Sequence, residues 1–348
     1  MTHQAMATKP KDRDFLRTEE GFFFCVTGYL HPPDRYTAYL KYSPASSGKW
    51  RDGETAYQRE LPYYHIRTVD RTIEYLEQHY PQYVHDCAVR GIRFSMVPRE
   101  YVAHYYAAQE RLGEILAAPH DPLEEEVRDL ALEIAACASI SPRDLGITGS
   151  TLIGLHDPAF SDIDLTVYGL DKARAVREAL RQAQSPRIRG LDRDTIAKWA
   201  TGISNRFPLT VEEARHFAQR RWNYGFFGQR YFSLHPTRVD AEITERYGDL
   251  TYRTTGSARV RVTLVDAAEA LFQPSIYHVA DVQVLEGDAR AAEVHEIVSY
   301  EGLYRDVAED GAQVEARGKL ESVSDGSFRL VVGTSALGGQ GYIKPIHH

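Results

Sequence analysis

The chain has 348 residues, with 41 Lys and Arg against 49 Asp and Glu and a formal net charge of −8. This excess of acid excludes a surface built as a whole for non-specific nucleic-acid binding, though not a local basic patch. Hydrophobic residues make up 43% and charged residues 26%, enough apolar material for two or three folded cores. Cys25, Cys87 and Cys137 are odd in number and widely spaced, which fits neither a disulfide framework nor a zinc site. No run approaches the roughly 18 to 20 apolar residues of a spanning helix. The first residues lack the apolar stretch of a secretory leader. The expected location is therefore the cytoplasm, without a membrane partner.

In chain order, residues 1–13 are polar and are expected to be a disordered tail. Two β-rich runs, FFFCVTGYL and YTAYLKYS, flank HPPDR (31–35) and predict a hairpin across a rigid turn with an Asp34–Arg35 pair. Residues 44–54 read as a loop. TVDRTIEYLEQHY places Ile73, Leu76 and Tyr80 on one helical face, with Thr68 or Asp70 as its cap. IRFSMV at 92–97 predicts a strand. The run from Pro98 to about 118 predicts one long helix with the proline in its first turn. Pro119 and Pro122 mark a boundary near 120. The next helix begins DPLEEEV, with acids in its first turn where the helix dipole favours them. Helical stretches are expected at 171–184, 192–201 and 210–222, followed by β runs RYFSL and TRVDAEIT. From about 255 the pattern has period two: Val260, Val262 and Leu264 alternate with Arg259, Arg261 and Thr263, and Val314, Ala316, Gly318 and Leu320 alternate with polar residues. That alternation predicts an antiparallel sheet with one buried face, as a small barrel or sandwich. The expected organisation is a tail at 1–13, an N-terminal β-hairpin and helix region at 14–120, a central domain at 121–254 and a C-terminal antiparallel β domain at 255–346, an α+β fold overall.

The chemistry-bearing residues lie in one short segment. In SDIDL (161–165), Asp162 and Asp164 are two apart, so on a strand they share one face while Ile163 and Leu165 take the other. Two adjacent carboxylates repel unless solvated or bridged by a cation, and carboxylate oxygens suit Mg²⁺. Upstream, Gly149-Ser150 follows the apolar run LGI. A glycine allows close backbone approach to a phosphate, and a serine hydroxyl adds a donor. A phosphate cradle and a metal-binding strand thus sit within fifteen or so residues of each other.

Gly149-Ser150, a spacer of 11 residues and then Asp-Ile-Asp-Leu together resemble the DNA polymerase beta nucleotidyltransferase superfamily. The run GYLHPPDRYTAYLKY looks, more loosely, like an archaeal-type group of predicted nucleotidyltransferases. The first resemblance covers roughly residues 125–245 and implies a nucleotidyltransferase core in the central domain. It also implies that Gly149 and Ser150 contact the triphosphate of an NTP and that Asp162 and Asp164 hold Mg²⁺ or Mn²⁺. A third carboxylate is expected on a neighbouring strand. Asp240 in TRVDAEIT is the candidate, as a metal ligand and catalytic residue, with Glu242 and Asp266 as competitors. Arg220 and Arg221 are candidate phosphate clamps, or else a charge cluster at a helix C-terminus. The implied reaction is metal-assisted attack of an acceptor hydroxyl on the α-phosphorus, releasing pyrophosphate. The acceptor is left open among RNA, protein and small molecules. The rival expectation is a catalytically inert nucleotide- or RNA-binding module that keeps the fold.

Overall fold

The computed structural model of the protein describes residues 9–61, 65–182 and 185–346. Residues 1–8 of the expected tail, and 183–184 of the helical stretch expected at 171–184, lie outside the described residues. The rest of that tail is packed: Arg13 donates its amide to Val26, and the Asp12 carboxylate accepts the Gly28 amide at 2.8 Å.

The N-terminal region is an antiparallel sheet built from β1 (Phe15–Thr18), β2 (Phe23–Val26), β3 (Arg35–Ala45), β4 (Trp50–Asp52), β5 (Thr55–Arg59), β6 (Val84–Cys87), β7 (Ile92–Pro98) and β8 (Val102–Tyr106). Its main order is β4-β5-β3-β2-β1-β8, with β7 joining β3 to β6. Helix α1 (Ile66–His79) is capped by His65, upstream of the expected Thr68 or Asp70, because the His65 ring accepts the Arg67 amide. The expected hairpin is β2–β3, and in the turn between them Arg35 grips Asp34 through two guanidinium nitrogens at 2.8 and 3.0 Å. In the same turn the His31 Nδ1 accepts the Thr37 amide at 3.1 Å. Burial, and then Arg90, push the His31 pKa down to about 3. A depressed folded-state pKa favours the neutral ring, so this contribution is complete above about pH 6.5 and is lost as pH falls toward 3. Denaturant unfolding at pH 7 and pH 5 should therefore show a loss of at most about 2 kcal/mol from this group, absent in His31→Asn.

The stretch expected as one helix from Pro98 is instead a short 3-10 turn, strand β8 and then helix α2 (Ala108–Ala117). Val102, Tyr105 and Tyr106 favour a pleated surface, and β1 offers them a partner in the register Phe15–Tyr106. A tertiary pairing thus overrides the helical spacing.

The central sheet holds β9 (Leu145–Thr148), β10 (Ile163–Tyr168), β11 (Ile188–Gly190), β12 (Tyr224–Phe227) and β13 (Arg230–Thr237), in the order β11-β12-β13-β10-β9. β10 runs parallel to β13 and antiparallel to β9. Helix α3 (Pro122–Ala138) starts on Asp121, whose carboxylate accepts the Leu123 and Glu124 amides, and Glu124 and Glu125 occupy its first turn as the sequence suggested. With α5 (Leu170–Arg181) it buries one face of the sheet; the four-residue α4 (Gly149–Leu152) follows β9 directly.

The last region is a closed barrel. β14 (Tyr252–Asp266), β15 (Ser275–Gly287), β16 (Val294–Ser299), β17 (Gln313–Val323) and β18 (Phe328–Val332) run β14-β15-β16-β18-β17, and β17 pairs back to β14, with β19 (Tyr342–Pro345) added on β17. All pairings are antiparallel except β16–β18, which is parallel. Val260, Val262, Leu264, Val314, Ala316 and Leu320 are buried inside it, the face that the alternation marked.

The hydrophobic cores do not follow the expected boundaries near 120 and 254. Leu112 and Ile115 of α2 pack into the central core, and α6 (Arg193–Ser204) and α7 (Val211–Gln219) bury Ala200, Ile203 and Phe217 against the barrel. Buried Asp306 ties the two together, pairing with Arg177 at 3.0 Å and accepting the Trp222 indole N–H at 2.8 Å. The architecture is α+β. Among the described residues, no helix is long and apolar enough to cross a membrane.

Candidate active site

Asp162 stands one residue before β10, and Asp164 is its second residue. The intervening Ile163 and the following Leu165 are fully buried on the opposite face, which turns both aspartates the other way. Both line a cavity of about 590 Å³ whose walls come from all three regions: the N-terminal sheet, the central sheet and the loops at one end of the barrel. Ser150 lines it as well.

Gly149 backs onto Asp164. It sits at φ +70°, and a Cβ there would meet the Asp164 Oδ2 at 2.5 Å. β9 and β10 are paired through Thr148 and Asp164, so the turn after β9 must pass close against that carboxylate. Only a glycine meets both demands, the left-handed backbone and the missing side chain.

The aspartates differ in surroundings. Partial burial, and then the neighbouring Asp164 charge, raise the Asp162 pKa to about 6, against the pull of Arg230, Arg59 and Lys49. Asp164 accepts a hydrogen bond from the Ser233 hydroxyl. Ser233 faces it directly across the parallel β10–β13 pairing. Because that hydroxyl proton is already committed, Ser233 must accept from the His235 Nε2–H at 2.9 Å. The His235 Nδ1 lone pair then faces Arg305 Nη1 at 3.5 Å. Burial, followed by Arg13, Arg305 and Lys41, holds the His235 pKa well below its usual value, which keeps the ring neutral as this arrangement needs. Arg305, His235, Ser233 and Asp164 thus form one chain of donors and acceptors from the barrel to β10.

Asp240 is not part of this site. β13 ends at Thr237, and residues 240–242 form a 3-10 turn. The turn arises because the Glu242 carboxylate accepts the Val239 amide and also the Leu170 amide that opens α5. Buried Arg238, paired with Glu269 and stacked over Tyr29 and Phe272, anchors the departing chain. Asp240 ends up exposed, 3.5 Å from Lys11. Asp266 accepts the Ala268 amide at the end of β14. None of Asp240, Glu242 and Asp266 lines the cavity; the residue that faces Asp164 from the neighbouring strand is Ser233, which is not an acid. Asp240→Asn should accordingly leave any cavity activity within about twofold and cost at most about 1 kcal/mol, as an exposed ion pair does; activity and melting assays on the variant check both.

Arg220 pairs with Glu309 at 3.4 Å outside the cavity. Arg221 lines the cavity but spends its guanidinium on the carbonyls of Gly302, Leu303 and Arg305, fixing the loop after β16. Arg230 clamps the spacer: it pairs with Glu126 and donates to the carbonyls of Pro158 and Ser161. His156 points away, bonding Asp121 at 2.7 Å. Asp121, Glu124 and His156 bring ligand atoms within 4.8 Å of one another. Capping by Asp121 and pairing of Glu124 with Arg111 already account for both acids.

The cavity charge runs against that of the whole chain. Among the described residues nine Lys and Arg line it, against the four carboxylates Asp70, Asp162, Asp164 and Glu301. A low-dielectric cleft of one sign concentrates counter-ions of the other, so the cavity favours a polyanion. At its rim Lys49 lies over the rings of Trp50 and Phe160, at 4.4 and 4.7 Å, and so joins the N-terminal sheet to the spacer loop.

Over 97% of its length the chain is 30% identical to the uncharacterized protein MJ1086 of Methanocaldococcus jannaschii, covering 99% of that protein. The chain belongs to the MJ1086 family. No family model matches it, and no solved structure matches it. Membership of the MJ1086 family brings no activity with it.

Proposed function

We propose that the cavity binds a metal–nucleoside triphosphate and transfers its nucleotidyl group to an acceptor hydroxyl. The observation that carries this reading is the meeting of Ser150 with Asp162 and Asp164 in the lining of a cation-rich cavity, with Gly149 packed against Asp164. The residues fit a divalent cation. Two carboxylates side by side, one with its pKa raised to about 6, are a pair that an ion would relieve, and their oxygens suit Mg²⁺ or Mn²⁺. Asp162 and Asp164 would hold it; when bound, it would neutralise charge on the phosphates being transferred. The protein's own part is positional. Ser233 fixes the Asp164 carboxylate, Gly149 leaves room for it, Ser150 offers a hydroxyl to the phosphates, and the surrounding cations attract the triphosphate.

A second reading, a nucleotide-binding module without turnover, is favoured by one observation: none of the three acids expected as a third carboxylate lines the cavity, and the residue facing Asp164 across the strand pairing is Ser233. The two readings separate in one experiment. The protein is incubated with each α-³²P-labelled NTP, Mn²⁺ and fractionated cell extract. Transfer of label to an extract component, lost in Asp164→Asn, supports the enzyme; metal-dependent NTP retention without transfer supports the binding module.

A further inference from the structure

The inner end of the cavity carries a group of cations that NTP binding at Gly149-Ser150 does not use. Arg305, only 4% exposed, lines the cavity from the barrel loop. Its hydrogen-bond partners are neutral, the His235 ring and the Gln273 side-chain oxygen at 3.2 Å, and its buried Nε has no partner. None of the described carboxylates forms an ion pair with it within 4 Å. Arg13 and Lys41 also line the cavity, Arg13 beside Asp12, and all three cations act on the same His235 ring. A buried guanidinium held by neutral groups is costly unless an anion joins it.

Strand register places the group. His235 is paired with Thr166, two residues beyond the Asp164–Ser233 pair, so it lies about 7 Å further along the sheet. Arg305 joins the far side of the His235 ring, so the group stands beyond the aspartates along β13. A carboxylate brings one negative charge, whereas a phosphate monoester brings close to two at neutral pH. Arg13 is paired with the buried Asp12 at 3.5 Å, so Arg305 and Lys41 supply the excess of charge; that excess suits the second, and an Arg fork matches its oxygens.

We propose that Arg305, Arg13 and Lys41 form a second oxyanion subsite, which holds the phosphate monoester of a small phosphorylated acceptor. The role of acceptor rests on the nucleotidyl-transfer reading; the subsite does not. The shift of Arg305 to about 10, caused by burial and then by Arg13, is the strain that a bound dianion would relieve.

The test is calorimetric titration of the full-length protein with glycerol 3-phosphate in the presence of a metal chelator, with parallel titrations of inorganic phosphate and of Mn²⁺–ATP without chelator. The expected result is saturable one-to-one binding of the ester, weakened at least tenfold by Arg305→Met and by Lys41→Met and changed less than about twofold by Asp162→Asn. Lys41→Met and the charge-preserving Arg305→Lys carry the test if Arg305→Met does not fold. The proposal is overturned if the wild type shows no saturable ester binding, if neither substitution weakens it, or if inorganic phosphate binds and the ester does not. Displacement of the ester by Mn²⁺–ATP in simple competition would also overturn it, by making these side chains part of the nucleotide's own site. Ester binding that depends on Arg305 in a protein that never binds Mn²⁺–ATP would sink the transfer reading and leave the subsite standing. The reverse pattern would do the opposite.

Discussion

Asp164→Asn should reduce metal-dependent nucleotidyl transfer by about 1000-fold while leaving the fold intact. Asparagine keeps the shape and can still accept the Ser233 hydroxyl, so the contact across β10–β13 survives. What disappears is one of two adjacent negative charges, and with it most of the attraction for a divalent cation. Asp162→Asn should give a similar loss. Its charge stands among Arg230, Arg59 and Lys49, so removing it also leaves the rim more positive, and metal-free triphosphate should bind no worse than in the wild type. The check is transfer rate against Mn²⁺ concentration for each variant, alongside a thermal melt. Full activity in both variants would remove the aspartates from the chemistry.

Gly149→Ala should damage stability and activity together. The left-handed backbone at φ +70° costs an alanine about 1 to 2 kcal/mol. The added Cβ would also lie 2.5 Å from the Asp164 Oδ2, so either the carboxylate or the turn must move. Moving the carboxylate breaks the Ser233 contact and disturbs the pair with Asp162, so a loss of activity on the order of 100-fold should accompany the loss of stability. Gly154→Ala is the control. It has a similar φ of +70° but open space around its Cβ, so it should show the backbone cost without the loss of activity.

Much of this was legible in the sequence, where local rules apply. The period-two runs around Val260 and Val314 marked the inside of the barrel, and Asp121 with Glu124 and Glu125 marked the start of α3. The alternation through Asp162, Ile163, Asp164 and Leu165 separated a cavity face from a core face. Long-range pairing was not legible. VAHYY has helical spacing in isolation, and only β1 makes it a strand. TRVDAEIT alternates like a strand, but Glu242 caps α5 from a distant part of the chain and turns the segment aside, which removes Asp240 from the cavity. Ser233 and His235 were not legible for a simpler reason: neither is an acid, so the carboxylate pattern passes over RYFSLHPT. Their two-residue spacing, on the strand just before the rejected candidate, is the signal that would have found them. Arg305 carried no sequence signal at all, because its place beside His235 depends on how the barrel loops close over the central sheet.

The same dependence explains why the acceptor cannot be read from motifs. Arg13 and Lys41 of the N-terminal sheet and Arg305 of the barrel meet the central strands from both sides. Asp306, held by Arg177, Arg181 and Trp222, fixes the loop that carries Arg305. The proposed oxyanion subsite is thus assembled from side chains far apart in the chain, whereas the proposed metal–nucleotide site comes from a single short segment.

The most direct test of the central claim is Mn²⁺ binding in the presence of ATP, followed by the loss of the free-ion electron paramagnetic resonance signal. The wild-type protein with ATP should remove Mn²⁺ from solution saturably, and the Asp162→Asn, Asp164→Asn double variant, with an unchanged melting temperature, should do so at least 100-fold more weakly. Equal Mn²⁺–ATP binding by the wild type and the double variant would contradict it.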